Sequence, residues 1–355
     1  MREQAPFFTR SPPEDPGPFY EKIDRAVHGL REFSLIYAAV ELGIFDHCII
    51  PMTVEDLSSS SCSDLSMCRL LCEALVAEGL LARKNNQFIN TPMSSTYLAG
   101  DSPYSQVHYI GQLARMGQDM WISLAQIMRN GPVQYNRDDF FREFSLPAMA
   151  ENALSGRLQA VVQAIIHLPG FSRMRRVLDL GGGHGLYAIA IAMQQSDIEA
   201  WVFDLPHVIP LAGRYVEHYR CQNVHLVPGD FFCSPIGGGY DLIISSSNPS
   251  GKSIKMLPKI SDALNEGGYF VNVQSPGGLP LDPLQSLEWN LWTFSGVNKL
   301  QEGCTKEQVF MTPAYRKALS ENGLFIIDEQ DIRDDYRYDT WVTMVIAQKR
   351  TGKTL

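Results

Sequence analysis

The stretch Val177-Leu178-Asp179-Leu180-Gly181-Gly182-Gly183-His184-Gly185, continued by the helical pattern from Leu186 to Met193, decides the fold. A short apolar run enters glycines and leaves them as a helix, which is the order of strand, tight turn and helix. Glycines at such a turn let a ligand approach the backbone closely and leave the first helical N–H groups free to meet it. The spacing Gly181-x-Gly183-x-Gly185 is not the G-x-G-x-x-G of dinucleotide sites. It suits a nucleoside with an amino-acid tail better than a pyrophosphate. The plainer reading of the same glycines is tight geometry alone, and the strands that follow decide between the two.

From Arg175 onward strands alternate with helices: 177–180, 200–203, 224–227, 241–245 and 269–273, then a hairpin of 325–330 and 341–347. This alternation predicts an α/β fold, a Rossmann-like parallel sheet with helices on both faces and ligands outside the carboxyl ends of its strands. Carboxylates fall at three of those ends. Asp204, followed by Leu205, ends the second strand, where it can accept both hydroxyls of a ribose. Asp230, followed by Phe231, ends the third, where the carboxylate can take an adenine amino group and the phenyl ring can cover the base. Asp179, at the first turn, can orient the glycine loop or reach a ligand's ammonium. Ser245, at the end of the fourth strand, is counted with them as a cofactor contact. One such aspartate is usually a helix cap; three at successive strand ends point to a ligand.

Upstream, the chain reads as an extended proline-containing arm over 1–20 and a helical region over 21–168, with the Rossmann-like domain over 169–350. A helix over 26–42 stops at Gly43. Thr53 caps a helix whose first turn holds Glu55 and Asp56, and a third helix over 66–77 ends at Gly79. A hairpin of 80–83 and 87–90 follows, so the order is that of a winged helix. Between Met52 and Thr91 there are three basic residues and five acidic ones, and the whole chain carries a net charge of −9. Both balances speak against nucleic acid as a partner, because that binding rests on neutralising phosphates. The winged helix is therefore read as a dimerisation module.

No apolar run approaches the roughly 18 residues that span a bilayer, so no membrane partner is expected. The N-terminal stretch lacks a secretory apolar core. Seven scattered cysteines then read as reduced thiols in the cytoplasm. Cys68 and Cys72, on one helical face, read as core residues, and no metal site is expected.

At this point the chain resembles the class I S-adenosylmethionine-dependent methyltransferases, specifically the caffeate and acetylserotonin O-methyltransferase-like group. The resemblance rests on Ala38-Ala39-Val40-Glu41-Leu42-Gly43-Ile44-Phe45-Asp46, Leu75-Val76-Ala77-Glu78-Gly79-Leu80-Leu81, Asp101-Ser102-Pro103-Tyr104-Ser105, the Val177 to Gly185 stretch, Phe203-Asp204-Leu205-Pro206-His207-Val208 and Gly229-Asp230-Phe231-Phe232. These motifs run in order over residues 25 to 345. They imply S-adenosylmethionine as cofactor, S-adenosylhomocysteine as product and a small-molecule acceptor. They also imply a homodimer in which the N-terminal region completes the partner's pocket. Gly181, Gly183, Asp204, Asp230 and Phe231 carry over as cofactor contacts.

The chain departs from that family after the fourth strand. Members that methylate hydroxyls carry a His-Asp-Trp-type motif there, whose histidine is the general base. Here the region reads Ile243-Ile244-Ser245-Ser246-Ser247-Asn248-Pro249-Ser250-Gly251-Lys252-Ser253, and no histidine occurs after His225. The Gly251-Lys252-Ser253 triplet lacks the earlier glycine of a P-loop, with Ser246 in its place. The missing base has three readings. The favoured one is an acceptor that needs none, such as a thiol, a thioether or a carbon nucleophile. The second is another base, with His108 and Glu288 as candidates. The third is a protein that binds the cofactor without transferring methyl. For the acceptor wall the resemblance points to Tyr104, His108, Arg115, Trp121, Trp289 and Asn290. Arg115 is the candidate partner for an acceptor carboxylate. The long stretch from Gly296 to Met311 is expected to cover the pocket.

Overall fold

The computed structural model describes residues 11–276, 283–297, 310–335 and 340–350. The stretch expected to cover the pocket falls largely outside them. The chain forms two compact units, Met1–Val107 and His108–Leu355.

The first unit is helical with one hairpin. Helix Gly17–Glu41 begins inside the stretch expected to be an extended arm, with a proline in its first turn, where the missing N–H costs nothing. Phe19, Ile23 and Leu30 are exposed on one side of it. Helix Val54–Ser60 starts where the Thr53 hydroxyl accepts the Asp56 N–H at 3.2 Å, and helix Leu65–Ala77 where the Asp64 carboxylate accepts the Met67 N–H at 2.9 Å. Each cap satisfies a donor that the helix itself cannot. Strands β1 (Leu81–Lys84) and β2 (Gln87–Asn90) form the antiparallel hairpin. Cys68 and Cys72 are buried as core residues, and burial pushes the Cys72 thiol up to about 12.

The strands of the second unit are β3 (Val133–Tyr135), β4 (Arg176–Leu180), β5 (Glu199–Asp204), β6 (Val224–Pro228), β7 (Tyr240–Ser246), β8 (Leu264–Gln274), β9 (Trp292–Phe294), β10 (Leu324–Asp335) and β11 (Thr340–Lys349). Seven of them make one sheet in the order β10-β11-β8-β7-β4-β5-β6. Strands β4 to β8 run parallel, and the β10–β11 hairpin adds an antiparallel edge. Val177 to Leu180 are buried without interruption, as expected of a central strand covered on both faces. On one face Val177, Val202, Ile244 and Val271 pack with side chains of helices Leu146–Leu154, Arg157–Ile166 and Leu186–Ala192. On the other, Leu178, Phe203, Ile243 and Phe270 pack with helices Leu257–Ala263 and Pro313–Glu321.

Three differences from the sequence reading have clear causes. The units part at Val107/His108 rather than at 168/169, because Ala150, Ala153, Val161 and Ile165 bury their side chains in the core of the sheet. The helical region expected over 21–168 is interrupted in its second half by wider i→i+5 turns at Gly117–Ile122 and Phe140–Ser145, and by Gly156 at φ 137°. Strands β3 and β9 pair in parallel, Val133 against Trp292, in stretches too short to show the alternation of a strand. Among the described residues no helix is long and apolar enough to cross a membrane.

Strand β4 is flanked by β5 on one side and β7 on the other. The chain order therefore reverses at β4, and such a reversal opens a crevice at the carboxyl ends of the strands.

Candidate active site

A cavity of about 220 Å³ lies at that reversal, walled by the glycine turn after β4, the end of β5 and the loop after β7. Gly181, Gly183 and Gly185 have φ of +69°, +54° and +74°. L-residues with side chains rarely adopt that region. At Gly181 a Cβ would also lie 2.7 Å from the Asn248 side chain. Asp204 accepts the Gly183 N–H at 2.8 Å and the Leu205 N–H at 2.7 Å. Burial nonetheless holds its carboxyl above the usual range, outweighing both hydrogen bonds and the nearby His207. Asp204 thus orders the turn and faces the cavity at once. Asp179 is 1% exposed and accepts the Ala188 N–H at 3.4 Å. Burial pushes its carboxyl up to about 7, opposed by that hydrogen bond and assisted by Asp204. Leu205 and Phe231 complete the set of sequence-chosen residues that line the cavity.

His184, in the turn itself, was not singled out as a contact, yet it lines the cavity. Its Nδ1 accepts the Leu186 N–H at 3.1 Å, so Nε2 carries the proton. Burial, with the positive charge of Arg157, pulls its pKa down to about 3. The ring is a neutral donor across the physiological range. A polar ring among glycines at a strand end was the signal available in the sequence.

Two of the residues expected to contact the cofactor are not among those that line the cavity. Ser245 is fully buried and does not line the cavity; its hydroxyl meets Asn248 Oδ1 at 3.1 Å and the Ser250 hydroxyl at 2.9 Å. Successive strand residues face opposite ways, and it is Ser246 that lines the cavity, its hydroxyl 3.3 Å from that of Tyr187. Asp230 does not line it either and accepts the Phe232 N–H at 2.9 Å. The Asp230 turn is held by Lys259, whose Nζ donates to the carbonyls of Phe231, Phe232 and Ser234 at 2.7, 3.3 and 3.2 Å.

The loop after β7 leads from Ser246 into helix Pro249–Lys252. Ser246, Ser247, Asn248 and Pro249 line the cavity there. The Asn248 amide donates to the Leu180 carbonyl at 2.8 Å, and its oxygen accepts the Ser250 N–H at 2.9 Å. Behind the loop, Asn272 donates to the Gly251 carbonyl at 2.7 Å and to the Tyr315 hydroxyl at 2.9 Å, and Gln274 donates to Asn272 at 3.0 Å. Burial raises the Tyr315 phenol above its ordinary value. The whole arrangement is hydroxyls and amides, neutral at physiological pH.

Neither base candidate lines the cavity. His108 Nδ1 lies 2.7 Å from Glu151, which also accepts the backbone N–H groups of His108 and Tyr109 at 3.2 and 2.8 Å. That pairing raises the pKa of His108 despite its partial burial. Glu288 accepts the Trp121 indole N–H at 3.0 Å. The other expected acceptor contacts are engaged or placed elsewhere. Arg115 pairs with Asp119 at 3.4 Å, Asn290 donates to the Ser286 carbonyl at 2.8 Å, and Trp289 packs on Trp292 at 5.5 Å. Tyr104 is exposed and belongs to the first unit. The wall also includes Tyr187, Val208 and two cations, Arg137 and Arg157, together with Phe141, Leu146 and Met149. The last three are apolar residues at near-helical spacing, which reads as ordinary core, and nothing in the pattern separated them from it.

The chain matches two family models. Residues 133–311 match one described as the O-methyltransferase domain, and residues 25–100 one described as the O-methyltransferase dimerisation domain. An uncharacterized protein of Methanocaldococcus jannaschii is 31% identical over 92% of this chain and 89% of its own length. The 3-hydroxy-5-methyl-1-naphthoate 3-O-methyltransferase of Streptomyces sahachiroi is 26% identical over 68% of this chain and 72% of its own. Among solved structures, human N-acetylserotonin methyltransferase in complex with S-adenosylmethionine matches with a TM-score of 0.63 and 22% identity, over 96% of this chain and 100% of that one.

Proposed function

The chain belongs to the O-methyltransferase family and is an S-adenosylmethionine-dependent methyltransferase, and from that premise we propose that its small-molecule acceptor presents a nucleophile that needs no general base. A thiol or thioether sulfur comes first, a carbon nucleophile second. The observation that carries this reading is what the stretch after β7 presents to the cavity, namely Ser246, Ser247, Asn248 and Pro249, none of them ionisable in the physiological range.

The residues present fit the cofactor. The left-handed glycine turn leaves the backbone open, Asp204 suits the ribose hydroxyls, Phe231 gives the adenine an apolar face, and the His184 Nε2–H suits the methionine carboxylate. When bound, S-adenosylmethionine supplies a methyl group on a sulfonium, which a thiolate or thioether can attack directly. The protein then contributes orientation and the exclusion of water, and good orientation alone can be worth about 7–11 kcal/mol. A second reading, an oxygen acceptor served by a base outside the loop, rests on the His108–Glu151 pair, which has the geometry of an oriented imidazole. We place the enzyme in the cytoplasm, on the strength of its scattered cysteines, and propose that it acts as a homodimer.

The test begins with calorimetric titration of S-adenosylmethionine and S-adenosylhomocysteine, for which one site per chain is expected. Product formation is then followed by mass spectrometry with thiols, thioethers and phenols at several pH values. Thioether turnover should be flat with pH, and thiol turnover should follow only the acceptor's own ionisation. Fast phenol methylation that is lost in His108→Ala would replace this reading with the second.

A further inference from the structure

The cavity has a charge asymmetry that the cofactor does not explain. Its carboxylates, Asp179 and Asp204, sit at the ends of β4 and β5 beside the glycine turn. Arg157 belongs to that end as well, since its charge acts on His184. Arg137 has a different setting. Its guanidinium carbon lies 5.8 Å from the ring centre of Phe294, and the Phe141 ring lies 5.6 Å from the same ring. Phe294 in turn packs against Trp292 at 5.4 Å and Phe140 at 5.3 Å, and Phe140 stacks on Trp292 at 4.8 Å. Arg137 and Phe141 both line the cavity, so this wall offers an aromatic edge with a cation beside it.

The nearby acids are engaged elsewhere. Asp138 lies 3.3 Å from His207, and Asp119 serves Arg115 and Tyr135. Among the described residues, Arg137 interacts with the Phe294 ring. A guanidinium on an aromatic face keeps its planar fork of donors available, and that fork matches a carboxylate in two parallel hydrogen bonds. We infer that the acceptor is an anion, a carboxylate-bearing sulfur compound whose carboxylate is held by Arg137 while its apolar body lies against Phe141. Arg137 thereby takes the role that the sequence suggested for Arg115. The inference rests on the methyltransferase reading above, and it makes Arg137 a specificity-determining residue rather than a cofactor contact.

The experiment measures binding, not turnover. Protein saturated with S-adenosylhomocysteine is titrated with 4-(methylthio)benzoate and with the uncharged, nearly isosteric 4-(methylthio)benzamide, in the wild type and in Arg137→Gln. The wild type should prefer the benzoate at least tenfold. Arg137→Gln should erase that preference, keep its affinity for S-adenosylhomocysteine within twofold and keep the unfolding midpoint of the wild type. Arg137→Lys, which retains the charge but loses the fork, should fall between them. Equal affinity for the two probes, binding of neither, or a preference that survives in Arg137→Gln overturns the inference. A tenfold loss of S-adenosylhomocysteine affinity in Arg137→Gln overturns it too, by assigning the arginine to the cofactor. Failure of the wild type to bind S-adenosylhomocysteine at all sinks the methyltransferase reading itself, and the inference with it.

Discussion

Asp179 and His184 stand at either side of one turn, and burial moves them in opposite directions, the carboxyl up to about 7 and the imidazole down to about 3. Their effects on stability have opposite signs. Between about pH 4 and 7 the folded chain holds a proton on Asp179 that the unfolded chain has lost, so this residue's contribution fades as the pH rises. Between about pH 3 and 6.5 the unfolded chain holds a proton on His184 that the folded chain refuses, so here stability fades as the pH falls. Over the shared window each slope approaches about 1.4 kcal/mol per pH unit, and the two nearly cancel. Asp179→Asn should therefore expose an acid-side loss of thermal stability below about pH 6.5, and His184→Gln a loss as the pH climbs from about 4 to 7. Thermal midpoints of the cofactor-free protein across that range check both. Variants with the same pH profile as the wild type would rule out the assigned ionisations.

The turn after β6 shows how an element is held without a regular ladder. One ammonium, Lys259, ties three consecutive-region carbonyls and so fixes where Phe231 meets the cavity. Hydrogen bonds to charged groups contribute about 1.5–3 kcal/mol each, net of exchange with water, and less where the ammonium is partly exposed. Lys259→Met should weaken S-adenosylmethionine binding by about tenfold, roughly 1.4 kcal/mol, with a small change in unfolding midpoint. Calorimetry showing unchanged affinity would mean that the turn holds itself. At this scale much was legible in the sequence. The strand, turn and helix around Gly181, the Thr53 cap and the β1–β2 hairpin each depend on neighbours within a few residues. The strands β3 and β9 were not legible, because each is three residues long and pairs with a strand in a distant part of the chain. Which of Ser245 and Ser246 lines the cavity was not legible for a related reason. Alternation says that one of two adjacent residues faces the ligand, and only the packing of the sheet says which. Lys259 was silent for the same cause, since its partners lie 25 to 28 residues upstream.

For the whole molecule, the dimerisation domain over residues 25–100 and the exposed Phe19, Ile23 and Leu30 of helix Gly17–Glu41 point to a second copy of the chain as their partner. Leu30→Glu would place a charge in that apolar contact, and an unpaired buried charge is strongly unfavourable. Light scattering should give a dimer for the wild type and at least a tenfold weaker association for the variant; a monomeric wild type, or a variant that still pairs fully, would count against it. The β3–β9 pairing has a separate consequence, for the order of assembly. Val133 waits for Trp292, nearly half the chain away, so the strand pair cannot close until most of the protein has been synthesised. Contacts of such long sequence separation form late in folding, after local turns and neighbouring strands. The glycine turn after β4 rests on the neighbouring strand β5, whereas the aromatic wall behind Arg137 and Phe141 rests on a pairing that spans nearly half the chain, so the two sides of one cavity depend on contacts of very different sequence separation.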